Sequence, residues 1–164
     1  RDALDELRET ARTGATDVRR IAARLRPEAL EDLGLERALS ALATSFTEQT
    51  GIRTDRRIEP VTQLDREQEL VVYRVAQEAL TNVARHSGSS TAVIRLTRES
   101  EGARRLLLMI EDFGKGMKDQ ALDSPTSRGL GLISMRERLA QIGGRLQIDS
   151  TEGHTLLQAI ILPY

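Results

Sequence analysis

Cysteine is absent from the 164 residues, which excludes disulfides, thiolate metal sites and thiol nucleophiles. Histidine is nearly absent: His86 and His154 lie far apart in sequence, too few for a multi-histidine metal centre. Aromatic residues make up 2% of the chain, with no tryptophan, so the stacking platforms that bind single strands are not to be expected. A surplus of either charge is missing too. Lys+Arg 24 against Asp+Glu 25 leaves a formal net charge of -1, without the counterion-release drive behind general nucleic-acid binding. No nucleic-acid partner is expected. No apolar run approaches the about 20 residues of a membrane-spanning helix, and no signal-peptide pattern opens the chain, so a cytoplasmic location is expected. What remains, 39% hydrophobic and 30% charged, describes a globular chain, not a disordered one. The length suits one domain with an appendage, and a start at Arg1 reads as a piece of something longer.

The appendage is residues 1–26. Leu4, Leu7, Ala11, Gly14, Val18, Ile21 and Leu25 step by three and four among charged neighbours, a heptad seam that favours a partner helix over a surface helix lying on its own domain. Pro27 ends it. A helix is expected over Leu33 to Gln49, stopped by Thr50-Gly51, and a short strand over Ile52 to Ile58. A longer helix runs from Asp65 to His86. Strands follow at Thr91–Thr97 and Leu106–Asp112, the second apolar throughout from Leu106 to Ile110 and read as a buried strand. Phe113 to Arg128 reads as a loop, Leu130 to Ile142 as a helix ended by Gly143-Gly144, and Arg145–Ser150 and Thr155–Leu162 as final strands. Helices and strands interleave without a βαβ repeat. The expected fold is an α/β (α+β) two-layer sandwich, a mixed sheet with helices on one face, plus an N-terminal bundle helix.

Three clusters could carry chemistry. Glu78 and Asn82, four apart on the long helix, share a face at the edge of its apolar arc, with Arg85 and His86 one turn on. Oxygen ligands so spaced suit Mg²⁺, which leans on substrate phosphates and waters; a solvated polar pair is an equal reading. Asp112-Phe113-Gly114-Lys115-Gly116 offers a carboxylate at the end of an apolar strand, where glycines allow close approach of a flat ligand. The Asp-Phe-Gly within it is a coincidence, since no other eukaryotic-kinase element accompanies it. Arg128-Gly129-Leu130-Gly131-Leu132, immediately before a helix, exposes backbone N–H groups fit for phosphate, yet alone does not exceed a glycine-capped loop.

In this order the clusters resemble the GHKL-type ATPase domain, and within it the sensor histidine kinases of the NarL/DesK type. Val75-Ala76-Gln77-Glu78-Ala79-Leu80-Thr81-Asn82-Val83-Ala84-Arg85-His86-Ser87 resembles their N box, Glu111 to Gly116 the G1 box, and Arg128 to Leu139 with Gly143-Gly144 the G2 box. Leu25-Arg26-Pro27, Leu33-Gly34-Leu35 and Thr50-Gly51-Ile52 are similar too, so the likeness covers nearly the whole chain.

The resemblance implies a Bergerat-type site for ATP and Mg²⁺. Asn82 would hold the metal, and Glu78 would serve as a second ligand or as the catalytic, polarising base. Arg85, His86, Arg128, Gly129, Leu130, Gly131 and Leu132 would lie near the phosphates. Asp112, helped by Thr155, would take the adenine, Gly114 and Gly116 would shape the pocket, and about 113–128 would form an ATP lid. Residues 1–26 would be the remnant of a dimerisation helix and 27–164 the catalytic domain.

Three departures stand out. Phe113 replaces the usual Asn or Asp, His154 replaces a glycine, and no histidine lies in a phospho-acceptor context on the heptad helix. The expected activity is therefore a protein-histidine kinase fragment of a two-component system that does not autophosphorylate alone. Its partners would be a phospho-acceptor helix of the parent homodimer and a response regulator, in the cytoplasm or on the cytoplasmic side of a membrane-bound sensor. The competing readings are a GHKL regulator such as an anti-sigma-type serine kinase and, last, a nucleotide-free scaffold.

Overall fold

The computed structural model describes residues 27–99, 105–117 and 127–162, apart from the side chains of Ser127 and Arg128. The expected bundle helix at 1–26 and positions 118–126 of the expected lid lie outside them.

Two short helices open the described chain: α1 (Glu28–Leu33) and α2 (Leu35–Thr50). The helix expected over Leu33 to Gln49 is present as Leu35–Thr50; the shorter helix ahead of it is set off by Gly34, whose φ of 76° a helix interior does not contain. Strand β1 (Arg53–Ile58) follows, then α3 (Arg66–Asn82), whose start is fixed by a capping box. Asp65 Oδ1 accepts the Gln68 N–H at 2.8 Å, and Gln68 Oε1 accepts the Asp65 N–H at 3.0 Å. Asp65→Ala should cost about 1 kcal/mol, read as a lower urea midpoint at unchanged m-value. The helix expected to reach His86 does continue, but as a π-helical turn, Val83–Ser87, closed by Gly88.

The sheet has the order β1-β2-β3-β5-β4, with β2 (Thr91–Glu99), β3 (Arg105–Asp112), β4 (Arg145–Thr151) and β5 (His154–Ile161). Only β1 and β2 run parallel; the other pairs are antiparallel. Helix α4 (Ser127–Gln141) precedes β4. A mixed sheet with helices packed on one face is the architecture expected.

The apolar run in β3 does not mean burial on both faces. Leu106, Leu108, Ile110 and Asp112 face the helices and are buried, while Leu107, Met109 and Glu111 on the other face are half-buried. The core lies between sheet and helices, with Leu39, Val72, Leu80, Ile94, Leu108, Leu132 and Ile161 almost wholly shielded. Its consequence for function is positional. The C-terminal ends of α3 and β3, the start of β5 and the first turns of α4 converge at one end of the sandwich.

Candidate functional site

Four elements open onto one small cavity of about 30 Å³, lined by Asn82, Ser87, Asp112, Gly116, Met117, Leu132, Thr155 and Leu157. Asn82 comes from the last residue of α3, Asp112 from the end of β3, Leu132 from α4, and Thr155 and Leu157 from β5. Asp112 and Thr155 are register partners across β3 and β5, which sets the two side chains next to each other on the helix-facing side. Both are buried polar groups. Asp112 Oδ1 accepts the Gly114 N–H at 3.0 Å, so the carboxylate is anchored by the loop that follows it.

The loop from Phe113 to Met117 is held from both sides. The Lys115 N–H donates to Ser87 O at 2.9 Å, the Phe113 N–H to Ser89 Oγ at 3.3 Å, and the Met117 N–H to Ser150 Oγ at 2.7 Å. A side chain at Gly114 would overlap the Ser87 carbonyl, and one at Gly116 would overlap that of Thr151. Both glycines are thus required by close approach of the protein's own backbone, whereas the expectation concerned close approach of a ligand.

Asn82 brings an unpartnered donor to the cavity. Its Nδ2 is buried and has no hydrogen-bond partner among the described residues. A buried amide left so costs about 1–3 kcal/mol, a cost that a ligand with matching groups removes. One turn earlier, the Glu78 carboxylate is half-buried and takes part in no ion pair or hydrogen bond among the described residues. It abuts Gly131, where an added Cβ would overlap Glu78 Oε1. Glycine at 131 thus leaves room for the carboxylate between α3 and α4.

The placement differs from expectation in several respects. Arg128 to Leu132 do not precede the helix; they form its first turns, since α4 starts at Ser127. Gly129 and Leu132 are buried, whereas Leu130 is 62% exposed and lines neither cavity described here, so its side chain is not part of the pocket. Arg85 is exposed and His86 half-buried, and neither lines these cavities. Glu78 lies instead in a wider groove of about 490 Å³ over the outer face of α3, with Arg74, Gln77, Thr81, Ser134 and Arg138 among its lining. Burial first, and the nearby Arg138 charge second, hold the Arg74 guanidinium below its ordinary value.

The unusual pair, Phe113 and His154, meet each other with ring centroids 5.7 Å apart. His154 Nε2 lies 2.8 Å from Glu111 Oε1, and Arg95 Nη2 lies 3.4 Å from Glu111 Oε2. This cluster sits on the outer sheet face, outside the small cavity.

Sequence reasoning missed Ser150. Its Oγ accepts the Met117 N–H, lies 2.9 Å from Thr155 Oγ1 and reaches His154 O at 3.3 Å. It is the cross-strand partner of Thr155, a relation visible only once β4 and β5 are paired. Ser150→Ala should lower stability by about 1–2 kcal/mol and weaken adenosine binding, checked by urea denaturation and calorimetry. Ser150→Thr should recover most of both. Among the described residues no group of three or more His, Asp or Glu is placed to cage a metal. The unpartnered Asn82 Nδ2 is a hydrogen-bond donor, suited to a phosphate oxygen; a divalent cation would have to be met by the amide Oδ1.

A family profile described as histidine kinase-, DNA gyrase B- and HSP90-like ATPase matches residues 67–163. The chain is 42% identical over 147 residues to the sensor histidine kinase MctS of Rhizobium johnstonii, covering 88% of this chain and 31% of that protein. It is 37% identical over 139 residues to the histidine-protein kinase/phosphatase UhpB of Salmonella typhimurium, covering 83% and 26%. With the oxygen sensor histidine kinase NreB of Staphylococcus carnosus it shares 35% over 135 residues, covering 82% and 38%. The chain therefore spans well under half the length of these curated relatives. Among solved structures it is similar to the histidine kinase domain of the blue-light activated kinase EL346 of Erythrobacter litoralis. That likeness has TM-score 0.64 at 18% identity and covers 78% of this chain and 60% of that one. It is similar likewise to the histidine kinase AdeS of Acinetobacter baumannii, with TM-score 0.62 at 18% identity, covering 78% and 62%. At such identity these structures speak for the fold.

Proposed function

The chain belongs to the histidine kinase-, DNA gyrase B- and HSP90-like ATPase family, and from that premise we propose that it passes the γ-phosphoryl group of ATP to a histidine carried outside it. The chain is an ATP-binding catalytic domain of the sensor-histidine-kinase kind. The observation that carries the finer reading is the convergence of Asn82, Asp112 and Thr155 on one cavity, with the Asn82 amide unsatisfied.

Asp112, anchored through Gly114, accepts a hydrogen bond from the adenine amino group, and the Thr155 hydroxyl, held by Ser150, completes the base contact. Met117 is the wall that gives way to the base, being unbranched and rotatable. Asn82, through its Oδ1, and Glu78 would hold Mg²⁺, which would supply neutralisation of phosphate charge. Glu78 also stands ready to polarise the incoming nucleophile, while the N–H groups of the first turn of α4 face the phosphates. Positioning and charge neutralisation, not covalent chemistry by the protein, carry the transfer.

In this reading residues 27–164 are the catalytic unit and 1–26 the end of a dimerisation helix. The parent acts as a homodimer, the next acceptor is a response regulator, and the site faces the cytoplasm. No helix among the described residues is long and apolar enough to cross a membrane. The named relatives favour a histidine acceptor over the serine of an anti-sigma-type kinase. Incubation with γ-labelled ATP tests the fragment reading: the chain alone should acquire no acid-labile label. Label on His86 or His154 would overturn it.

A further inference from the structure

Two buried serines, Ser87 and Ser89, have no role in the transfer described above, yet their hydroxyls lie between the end of α3 and the 113–117 loop. The chain turns between them at Gly88, whose φ of 68° is left-handed. That corner brings the pair together: the Ser89 N–H donates to Ser87 Oγ at 3.0 Å, a serine turn. Ser87 Oγ donates in turn to Val83 O at 2.7 Å, inside the π-helical turn and one residue from Asn82. Ser89 is used to capacity. Its hydroxyl donates to Thr91 O at 2.6 Å and accepts the N–H of Thr91 at 3.2 Å and of Phe113 at 3.3 Å, which is all that one hydroxyl offers.

Three successive N–H groups follow the end of β3, and each has a different acceptor. That of Phe113 goes to Ser89 Oγ, that of Gly114 to Asp112 Oδ1 and that of Lys115 to Ser87 O. The two outer bonds come from the serine corner and bracket the middle one, which holds the Asp112 carboxylate. We propose that Ser87 and Ser89 are positioning residues for base recognition: through the 113–115 backbone they fix the direction in which Asp112 accepts the adenine amino group. The inference rests on the base contact of Asp112 stated above and adds what aims it. A hydrogen bond weakens steeply once its angle opens, so a small slide of the loop is enough to lose it. Such a slide has one direction open to it. Gly114 lies so close to the Ser87 carbonyl that no side chain fits between them, and the loop can only move away from the corner. Removing a serine hydroxyl weakens the hold against that movement and leaves Asp112 chemically intact.

Calorimetry of this chain with adenosine and with purine riboside, the same nucleoside without the exocyclic amino group, separates aim from support. The natural chain should prefer adenosine by about tenfold or more. In Ser89→Ala, adenosine affinity should fall about fivefold and purine riboside affinity by less than about twofold, so that the preference collapses. Ser89→Thr keeps the hydroxyl and should restore the preference to within about twofold. Ser87→Ala should lower the preference about two- to threefold, and it reads the same ratio even if Ser89→Ala does not fold. Ser89→Ala added to Asp112→Asn should cost no further adenosine affinity. An equal loss for both nucleosides overturns the proposal, because it marks serines that only support the fold. So does a preference unchanged in both alanine variants. If the natural chain binds the two nucleosides alike, the base contact of Asp112 falls instead, and amide hydrogen exchange decides on the serines. Faster exchange at Gly114 but not at Leu108 in Ser89→Ala then supports their hold on the carboxylate, and unchanged exchange refutes it.

Discussion

Asp112→Ala is expected to weaken ATP, ADP and adenosine alike, by roughly 10- to 100-fold, the cost of removing a charged acceptor from a buried hydrogen bond. The effect should not depend on phosphates if, as proposed, Asp112, which faces the cavity together with Thr155, takes the base. The variant also releases the Gly114 N–H, so part of the loss could come from the loop. Asp112→Asn separates the two. It keeps a side-chain oxygen for Gly114 and should retain stability, yet still lose most of the affinity. Calorimetry with the three ligands reads the pattern, and a loss confined to ATP would move Asp112 away from the base.

Asn82→Ala should have an opposite signature. Mg·ATP affinity is expected to fall at least about tenfold and the Mg²⁺ dependence to vanish, while adenosine binding changes little. Stability should not suffer. The wild-type amide is buried without a partner, so its removal relieves a cost of about 1 kcal/mol or more and offsets the small volume lost. Function and stability then pull in opposite directions at this residue, as expected of a group kept for a ligand. Unchanged Mg²⁺ dependence, or a loss of stability of several kcal/mol, would remove Asn82 from the metal site.

Much of this was legible in the order of residues. The start of the long helix at Asp65, its apolar arc and the Asp112-x-Gly-x-Gly spelling are local patterns, and each marked its element or turn where it was expected. What the pattern hid was non-local. The short helix Glu28–Leu33 was not foreseen, because the left-handed angle of Gly34 that sets it off belongs to a corner packed by Leu30 and Leu35, which periodicity does not register. The first turns of α4 begin at Ser127 because Gly129 and Gly131 are helical there, although glycine propensity argues for a loop; tertiary packing against Glu78 outweighs it. Likewise β3 is apolar at Leu107 and Met109 although these face away from the helices, so composition alone overstated its burial. Ser87, Ser89 and Ser150 entered the site only through pairing of distant strands and turns. The two departures, Phe113 and His154, turned out to touch each other, which no one-dimensional reading could join.

Transfer of label to a separate hairpin tests the central claim most directly. The chain, Mg·γ-labelled ATP and a two-helix hairpin bearing the acceptor histidine are incubated together, and the products are separated and treated with acid. The account predicts acid-labile label on the hairpin, none on this chain, and loss of transfer in Asn82→Ala and Asp112→Ala. Acid-stable label on a serine, label on His86 or His154, or an unlabelled hairpin in the presence of bound ATP would contradict it.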